Sequence, residues 1–231
     1  MIPKILHYCW FGRGEKPADF LKFLESWRRA CPDYEIREWN EDNFDVNINS
    51  YCREAYLTRN FAHVSDVCRV WVLLTHGGVY LDTDVEVYRD FGPLLHLDSF
   101  LGVESTLVGT GVMGSVPRAE WLKAFMQYYD SRHFLSWWGH TVRTPNTKIL
   151  TQRVLPKVDI VEHPTILPRR FLACRDWDTG RINVTPDTFS MHFFAASWRR
   201  KKTLKQKIAA IRAGLAIRYF KRSTAPDQGM L

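Results

Sequence analysis

Two aspartates separated by one residue, Asp82 and Asp84, are the clearest candidates for chemistry in this 231-residue sequence. Carboxylate oxygens are the ligands that hard cations such as Mg²⁺ and Mn²⁺ prefer. A cation held there could bridge the phosphates of a nucleoside diphosphate sugar and neutralise the charge that develops as the glycosidic bond breaks. Because an Asp-x-Asp triplet also occurs in many solvated loops, the surrounding elements must decide between these interpretations.

The residues before the triplet predict that it lies at the ligand-binding edge of a sheet. Apolar residues at intervals of three and four predict a helix over residues 58–76. Gly77 would cap this helix, and the apolar residues 79–81 would form a strand that leads directly into Asp82. In parallel α/β sheets ligands gather beyond the carboxyl ends of strands, so this position favours a functional role.

The other periodic segments predict one α/β domain over residues 1–198, with a mostly parallel sheet covered by helices. Besides the strand at 79–81, strands are expected at 2–10, 34–39, 158–161 and 188–194, and a strand–loop–strand unit at 100–115. Besides the helix at 58–76, helices are expected at about 17–32, 51–57 and 118–129.

The predicted tail, residues 199–231, differs in charge from the rest of the chain. Ten of the 32 Lys and Arg residues lie between 199 and 222, where no Asp or Glu occurs. As a helix this stretch has a narrow apolar stripe flanked by basic side chains, an arrangement typical of a helix on an anionic membrane surface. Packing on the body or a partner is the alternative, because the opposite face is also apolar and Gly214 interrupts the helix. Nucleic-acid binding is not indicated, since no recognition motif accompanies the charge.

Cysteine usage and the N-terminus bear on the compartment. The five cysteines are odd in number and include no CxxC pair, so neither a disulfide framework nor a zinc site is predicted. The N-terminus lacks the pattern of a signal peptide, and the apolar runs are too short to cross a bilayer. We therefore expect a cytoplasmic protein that is peripheral on the inner face of the membrane.

Several segments together resemble a known family. Residues 65–69 (SDVCR) and 77–84 (GGVYLDTD) resemble the sugar-binding DxD region of glycosyltransferase family 32, and are similar to the glucosyltransferase domains of the large clostridial toxins. Residues 2–12 resemble the first strand of that family, and residues 191–198 its closing His…Ser-Trp segment. The resemblance implies a GT-A fold, which is one Rossmann-like α/β domain, together with a nucleotide-sugar donor linked to UDP or GDP and an Mn²⁺ or Mg²⁺ cofactor.

The resemblance also implies roles for the residues around the triplet. Asp84 would bind the metal directly, and Asp82 would contact the ribose and a metal-bound water. Asp66 and Arg69 would bind hydroxyl groups of the donor sugar and the diphosphate, with Tyr80 near the ribose or phosphate. Asp66 and Arg69 are three residues apart on the predicted helix and can project to one side, although a surface ion pair would have the same spacing.

Three further residues receive roles from the resemblance. Trp10 matches an aromatic residue that stacks on the donor base, but burial at the end of a core strand is the alternative. His192 and Trp198 match a pair that closes over the diphosphate, with His192 a third metal ligand or, alternatively, a structural histidine. Residues 137–147 depart from the family pattern, and their aromatic and polar mix would suit either the acceptor side of the cleft or a packed loop.

The function expected is a retaining hexosyltransferase that acts on a glycan or lipid-linked acceptor in surface polysaccharide or glycolipid synthesis. In retaining transferases of this type the departing phosphate oxygen can itself take the acceptor proton, so no protein base is assigned. Catalysis would rest on positioning and on electrostatic stabilisation of the leaving group by Asp82, Asp84 and Arg69. A metal-dependent nucleotidyltransferase and a non-catalytic nucleotide-sugar-binding protein are the alternatives.

Overall fold

The computed structural model describes residues 1–175 and 179–194. The strands are β1 (Ile5–Cys9), β2 (Glu35–Trp39), β3 (Gly78–Leu81), β4 (Val85–Val87), β5 (Ser99–Glu104), β6 (Leu107–Ser115), β7 (Thr165–Leu167) and β8 (Ser190–His192). The helices are α1 (Ala18–Ala30), α2 (Ser50–Leu57), α3 (Phe61–His76), α4 (Glu120–Asp130), α5 (Asn146–Ile149) and α6 (Arg169–Leu172). Short 3₁₀ and π turns connect several of these elements.

Six strands form the central sheet in the order β2-β1-β3-β6-β5-β7. The β1 strand is parallel to both β2 and β3, and β5 is parallel to β7, whereas β6 runs antiparallel to β3 and β5. A separate two-stranded sheet joins β4 to β8. The expected α/β class and mostly parallel sheet are therefore confirmed, with β6 as the antiparallel exception.

Strand alternation divides the core into two layers, one on each face of the sheet. Val79 and Leu81 of β3 pack in the layer that includes α1, whereas Tyr80 between them packs in the layer built by α2, α3 and α4. Successive side chains of a strand point to opposite faces, so this alternation follows directly from the sequence Val-Tyr-Leu. It places the Tyr80 side chain on the same face as α3.

The prediction of a strand at 158–161 is wrong. Ile160–Glu162 form a 3₁₀ turn, in which the Asp159 side chain accepts a hydrogen bond from the backbone N–H of Val161. The side chains of Ile160 and Val161 are strongly exposed, and the strand of this region is instead β7. A short apolar run beside a capping aspartate does not distinguish a turn from a strand, because both patterns are local.

A buried histidine ties β1 to its neighbours. His7 is fully buried, its Nε2 lies 2.8 Å from the carbonyl oxygen of Gly77, and the Trp39 indole donates to its Nδ1 over 3.0 Å. Since the indole can only donate, Nδ1 is the acceptor and Nε2 carries the proton that it donates to Gly77. This neutral form suits the site, because burial lowers the pKa of His7 to about 4.

Because His7 is buried in its neutral form, we expect the stability of the fold to drop at acid pH. The unfolded chain binds a proton at His7 below its ordinary pKa, whereas the folded chain does not until about pH 4. The stability from His7 is therefore complete above the unfolded pKa and is lost as the pH falls toward 4. Between about pH 8 and about pH 5 the loss should be about 2 kcal/mol.

Urea unfolding of wild type and His7→Gln at both pH values measures this loss. The glutamine side chain does not titrate, so the free energy of unfolding of the variant should fall by about 2 kcal/mol less than that of wild type over this interval. An identical pH dependence in the two proteins would contradict the prediction.

Candidate functional site

Asp82 leaves the sheet at the carboxyl end of β3, where the sequence predicts it. Its backbone N–H donates to the carbonyl oxygen of Gly111 on β6 over 2.8 Å, which continues the β3–β6 ladder by one residue. The N–H of Val85 then donates to the carbonyl oxygen of Asp82 over 3.1 Å and closes a turn. Asp82 and Asp84 are thus held by backbone hydrogen bonds on both sides.

Arg69 lies at the centre of a buried charge network. On α3 its Nη2 is 3.0 Å from Oδ1 of Asp66, one turn earlier, while Nη1 is 3.1 Å from Oδ1 of Asp82. Nη1 also donates to the carbonyl oxygen of Thr110 over 2.8 Å. Asp66 and Arg69 are both buried, so the surface ion pair considered for them is not what forms.

Tyr80 completes this network from the strand. Its hydroxyl group donates to Oδ1 of Asp82 over 3.0 Å, and its ring lies 4.7 Å below the guanidinium carbon of Arg69. Burial raises the pKa of Asp82, and the charge of Arg69 acts against that rise. The contacts with Arg69 and Tyr80 orient this carboxylate, and the charge of Arg69 favours its ionised form.

His192 approaches the triplet from the two-stranded sheet. In the antiparallel pair of β4 and β8, His192 stands opposite Val85 and so beside Asp84. Its Nε2 lies 3.1 Å from Oδ1 of Asp84 and 4.0 Å from Oδ2 of Asp82. The structure thus brings all three residues of the expected metal set together.

Glu104 contacts the other side of this imidazole, and it was not among the residues predicted from the sequence. Its Oε1 lies 3.0 Å from Nδ1 of His192. Burial alone would lower the pKa of His192, but Glu104 and Asp84 outweigh burial and hold that pKa well above its usual value. The only local signal is the alternation of glycines at 109 and 111 on the neighbouring strand.

Those two glycines leave room for the pair. A Cβ atom on Gly111 would lie 2.6 Å from the His192 ring, and one on Gly109 would lie 2.5 Å from Oε1 of Glu104. A larger residue at either position would require the His192 ring or the Glu104 side chain to shift. The residues expected to line a site between 100 and 115 do so through these glycines, Glu104 and the carbonyl of Thr110.

The residues at the triplet fit a divalent cation. Ligand atoms of Asp82, Asp84 and His192 all lie within 4.8 Å of one another, which is the one such cluster in the described ranges. Two carboxylates and an imidazole nitrogen form a donor set of this kind, and further hydrogen bonds from Tyr80 to Asp82 and between His192 and Glu104 hold two of the three. Nε2 of His192 therefore lies where it could act as a third ligand beside the two carboxylates.

Trp10 lies at a cavity of about 420 Å³ beyond the ends of β1 and β2. One face of its ring stacks on Phe20, with ring centroids 5.7 Å apart and an angle of 5° between the ring planes. Its indole N–H donates to the carbonyl oxygen of Gly14 over 2.8 Å. Lys16, Glu38 and other polar residues of the two loops form the remaining walls. Trp10 is thus packed on one side and borders a cavity as well.

The structure does not test two of the sequence predictions. Trp198 and the basic tail, residues 199–231, lie outside the described part of the chain. Within that part, no helix is long and apolar enough to cross a membrane.

Comparison with known proteins matches residues 17–101 to the family described as the glycosyltransferase sugar-binding region containing the DXD motif. The fold matches the crystal structure of a glycosyltransferase involved in the glycosylation of the major capsid of PBCV-1, with a TM-score of 0.52 and 13% identity. That match covers 92% of this chain and all of the other. The shared architecture is the GT-A fold.

Curated relatives are similar over part of their length. A mannosyl phosphorylinositol ceramide synthase of Saccharomyces cerevisiae is 32% identical over 151 residues, which is 58% of this chain and 37% of the relative. An inositol phosphoceramide mannosyltransferase of Schizosaccharomyces pombe is 31% identical over 119 residues, 49% of this chain and 33% of the relative. The chain thus spans only about a third of the length of these two relatives. Residues 17–101 thus match a glycosyltransferase DXD sugar-binding region, and the fold is of the GT-A type.

Proposed function

We propose that this chain transfers a hexose from a UDP- or GDP-linked sugar to a glycan or lipid-linked acceptor, with retention of the anomeric configuration. The observation that carries the proposal is the convergence of Asp82, Asp84 and His192 at the carboxyl end of β3 in a GT-A fold. The names of the yeast relatives favour a mannosyl donor and a lipid acceptor such as a phosphorylated ceramide. We therefore propose that the transfer takes part in surface polysaccharide or glycolipid synthesis.

A divalent cation at Asp82, Asp84 and His192 would supply positive charge to the departing diphosphate. The imidazole ligand favours Mn²⁺ over Mg²⁺, because Mg²⁺ keeps to oxygen ligands and water. Glu104 accepts the Nδ1 proton of His192 and so directs Nε2 toward Asp84. This arrangement fixes which nitrogen is available to a metal.

Arg69 serves this site mainly by positioning. Of its five N–H donors, one faces the carbonyl oxygen of Ser65, and those of Nη1 and Nη2 reach Asp82, Thr110 and Asp66. Little capacity remains for a direct contact to the diphosphate, so its charge acts through Asp82 and over a short distance. Asp66, beside the same network, is the residue that we assign to a hydroxyl group of the donor sugar.

We assign the nucleoside half of the donor to the cavity at Trp10. This cavity lies beyond the ends of β1 and β2, and β1 is the parallel neighbour of β3 in the sheet. A ligand that extends from Trp10 to Asp82 therefore follows the ligand edge of the sheet. We propose that Trp10 offers the base its free ring face, that Tyr80 orients Asp82 toward the ribose, and that Trp198 closes over the diphosphate.

No protein base is assigned to the transfer. The carboxylates of the described cluster already have partners: Asp82 contacts Arg69 and Tyr80, while Asp84 and Glu104 contact His192. Proton removal from the acceptor by the departing phosphate oxygen is consistent with this arrangement. Electrostatic stabilisation of that oxygen then supplies most of the rate. The nucleotidyltransferase alternative gains nothing from the family match.

Removing Asp84 or His192, two of the three proposed metal ligands, should weaken metal-dependent donor binding. Thermal-shift measurements with UDP- and GDP-sugars, each with and without Mn²⁺, should single out one donor that stabilises wild type only when the metal is present. For Asp84→Asn and His192→Gln, Mn²⁺ affinity should fall by more than about tenfold and transfer by more than about a hundredfold. Asp19→Asn, at an exposed position on α1, is the control. Transfer that survives Asp82→Ala and Asp84→Ala would rule out the mechanism.

Glu104 offers a separate test of the metal site. Glu104→Leu should weaken Mn²⁺ binding by about 10–100-fold, because the His192 ring loses the group that orients it. Glu104→Gln should recover part of this affinity, since its amide oxygen still accepts from Nδ1. Glu120→Leu, at an exposed position on α4, should bind Mn²⁺ as wild type does. Titration calorimetry measures all three, and wild-type affinity in Glu104→Leu would show that Glu104 has no part in metal binding.

The predicted tail adds a peripheral membrane attachment to the proposal, on the cytoplasmic face. Each Lys or Arg near an anionic surface contributes about 1 kcal/mol, so replacing Lys205, Lys207 and Arg212 by Gln should lower vesicle affinity by more than about tenfold. Lys22, Arg28 and Arg29 on α1 are exposed and provide a matched triple replacement. Equal flotation of both variants with phosphatidylserine vesicles would remove the tail from the proposal.

A further inference from the structure

An exposed aromatic turn follows α4. The backbone N–H of Ser136 donates to the carbonyl oxygen of His140 over 2.8 Å, and Gly139 donates back to Ser136 over 2.9 Å. Trp137 and Trp138 lie at the tip of this turn and are 55% and 65% exposed. Burial is the usual fate of so large an apolar surface, so two adjacent exposed tryptophans indicate an interaction surface.

The base of the turn is anchored in the core. Glu54 of α2 is fully buried, and its carboxylate accepts the backbone N–H of Leu135 over 2.8 Å and contacts Nδ1 of His133 at 2.7 Å. Phe134, between them, is also fully buried and packs on Tyr51 with ring centroids 5.3 Å apart. Burying a carboxylate is costly unless hydrogen bonds offset it. The residues that precede the exposed tip are therefore anchored in the fold.

The segment that carries the turn has basic but no acidic side chains. Residues 131–158 contain five Lys and Arg residues and no Asp or Glu. Arg132, Arg143 and Lys148 among them are exposed. In the rest of the body acidic and basic side chains are interspersed, so this charge is local. A negatively charged partner is the electrostatic complement of such a surface.

The turn also adjoins the candidate active site. The Phe134 ring lies 4.9 Å from the ring of His63, and Nδ1 of His63 lies 3.2 Å from Oδ2 of Asp66. Asp66 in turn contacts Arg69. Three consecutive contacts therefore connect the base of the turn to the network that holds Asp82.

From these observations we propose that the turn at Trp137 and Trp138 docks on an anionic membrane surface. The two indoles enter the interfacial layer, where the amphipathic ring of tryptophan is favoured, and the surrounding Arg and Lys side chains contact lipid headgroups. A stacking platform for an acceptor sugar would also use exposed indoles, but it would not require a segment free of acidic residues. The docking does not depend on the transferase activity, and it would present membrane-embedded acceptors beside Asp66.

Fluorescence quenching by brominated lipids tests this contact in the full chain. The signal of Trp137 and Trp138 is the difference between wild type and the double variant Trp137→Ser/Trp138→Ser, both bound to vesicles of phosphatidylcholine and phosphatidylserine. Docking predicts that this difference signal is quenched by the brominated lipid, and that the double variant binds the vesicles at least about tenfold more weakly. Thermal unfolding of both proteins checks that the fold is unchanged.

The pair Ile160 and Val161 provides a matched control. These side chains are 74% and 80% exposed, but Asp159 and Glu162 flank them. Ile160→Ser/Val161→Ser should therefore bind vesicles as wild type does, since an apolar pair between acidic residues does not favour an anionic surface.

Two results would overturn the proposal. One is an unquenched difference signal with wild-type vesicle affinity in the tryptophan variant, which would leave attachment to another segment such as the tail. The other is a fluorescence change on adding soluble glycans with no response to vesicles, which would make the turn a sugar platform. Donor binding with Mn²⁺ is measured separately by thermal shift, so failure of the docking and failure of the proposed transfer are distinguishable.

Discussion

The candidate site depends on one buried cation, the guanidinium group of Arg69. It lies between two carboxylates, those of Asp66 and Asp82, and also donates to the backbone of β6. Without it, two like charges would remain in a poorly solvated region, at a cost of about 3–5 kcal/mol. This single side chain therefore connects helix α3, strand β3 and strand β6, and it sets the direction in which Asp82 points.

The second half of the site is built from elements outside that network. The short β4–β8 pair carries His192 to Asp84, and the β5–β6 hairpin carries Glu104 to the other side of the imidazole. Gly109 and Gly111 admit both side chains, because any larger residue there would collide with them. A metal site so assembled requires the central sheet and the small sheet to fold together, which links donor binding to the integrity of the whole domain.

Much of the fold follows from local sequence patterns. The helix before the triplet, the strand Val79-Tyr80-Leu81 and the position of Asp82 at its carboxyl end were all predictable from apolar spacing and a glycine cap. The antiparallel direction of β6 was not, because strand direction depends on the connection and on neighbouring strands. The prediction of a strand at 158–161 failed because this short apolar run forms a capped turn on the surface.

The sequence by itself determined most of the longer helices and strands, the α/β class and the residue types that can bind a cation or a diphosphate. It also determined the placement of Asp66 and Arg69 on one side of a helix, because their spacing is local. Only the tertiary structure decided that Glu104 and His192 meet, since they are 88 residues apart, and that His192 reaches Asp84 across 108 residues. Local periodicity encodes which face of an element a side chain occupies, whereas contacts between distant elements arise only when the sheets and helices pack.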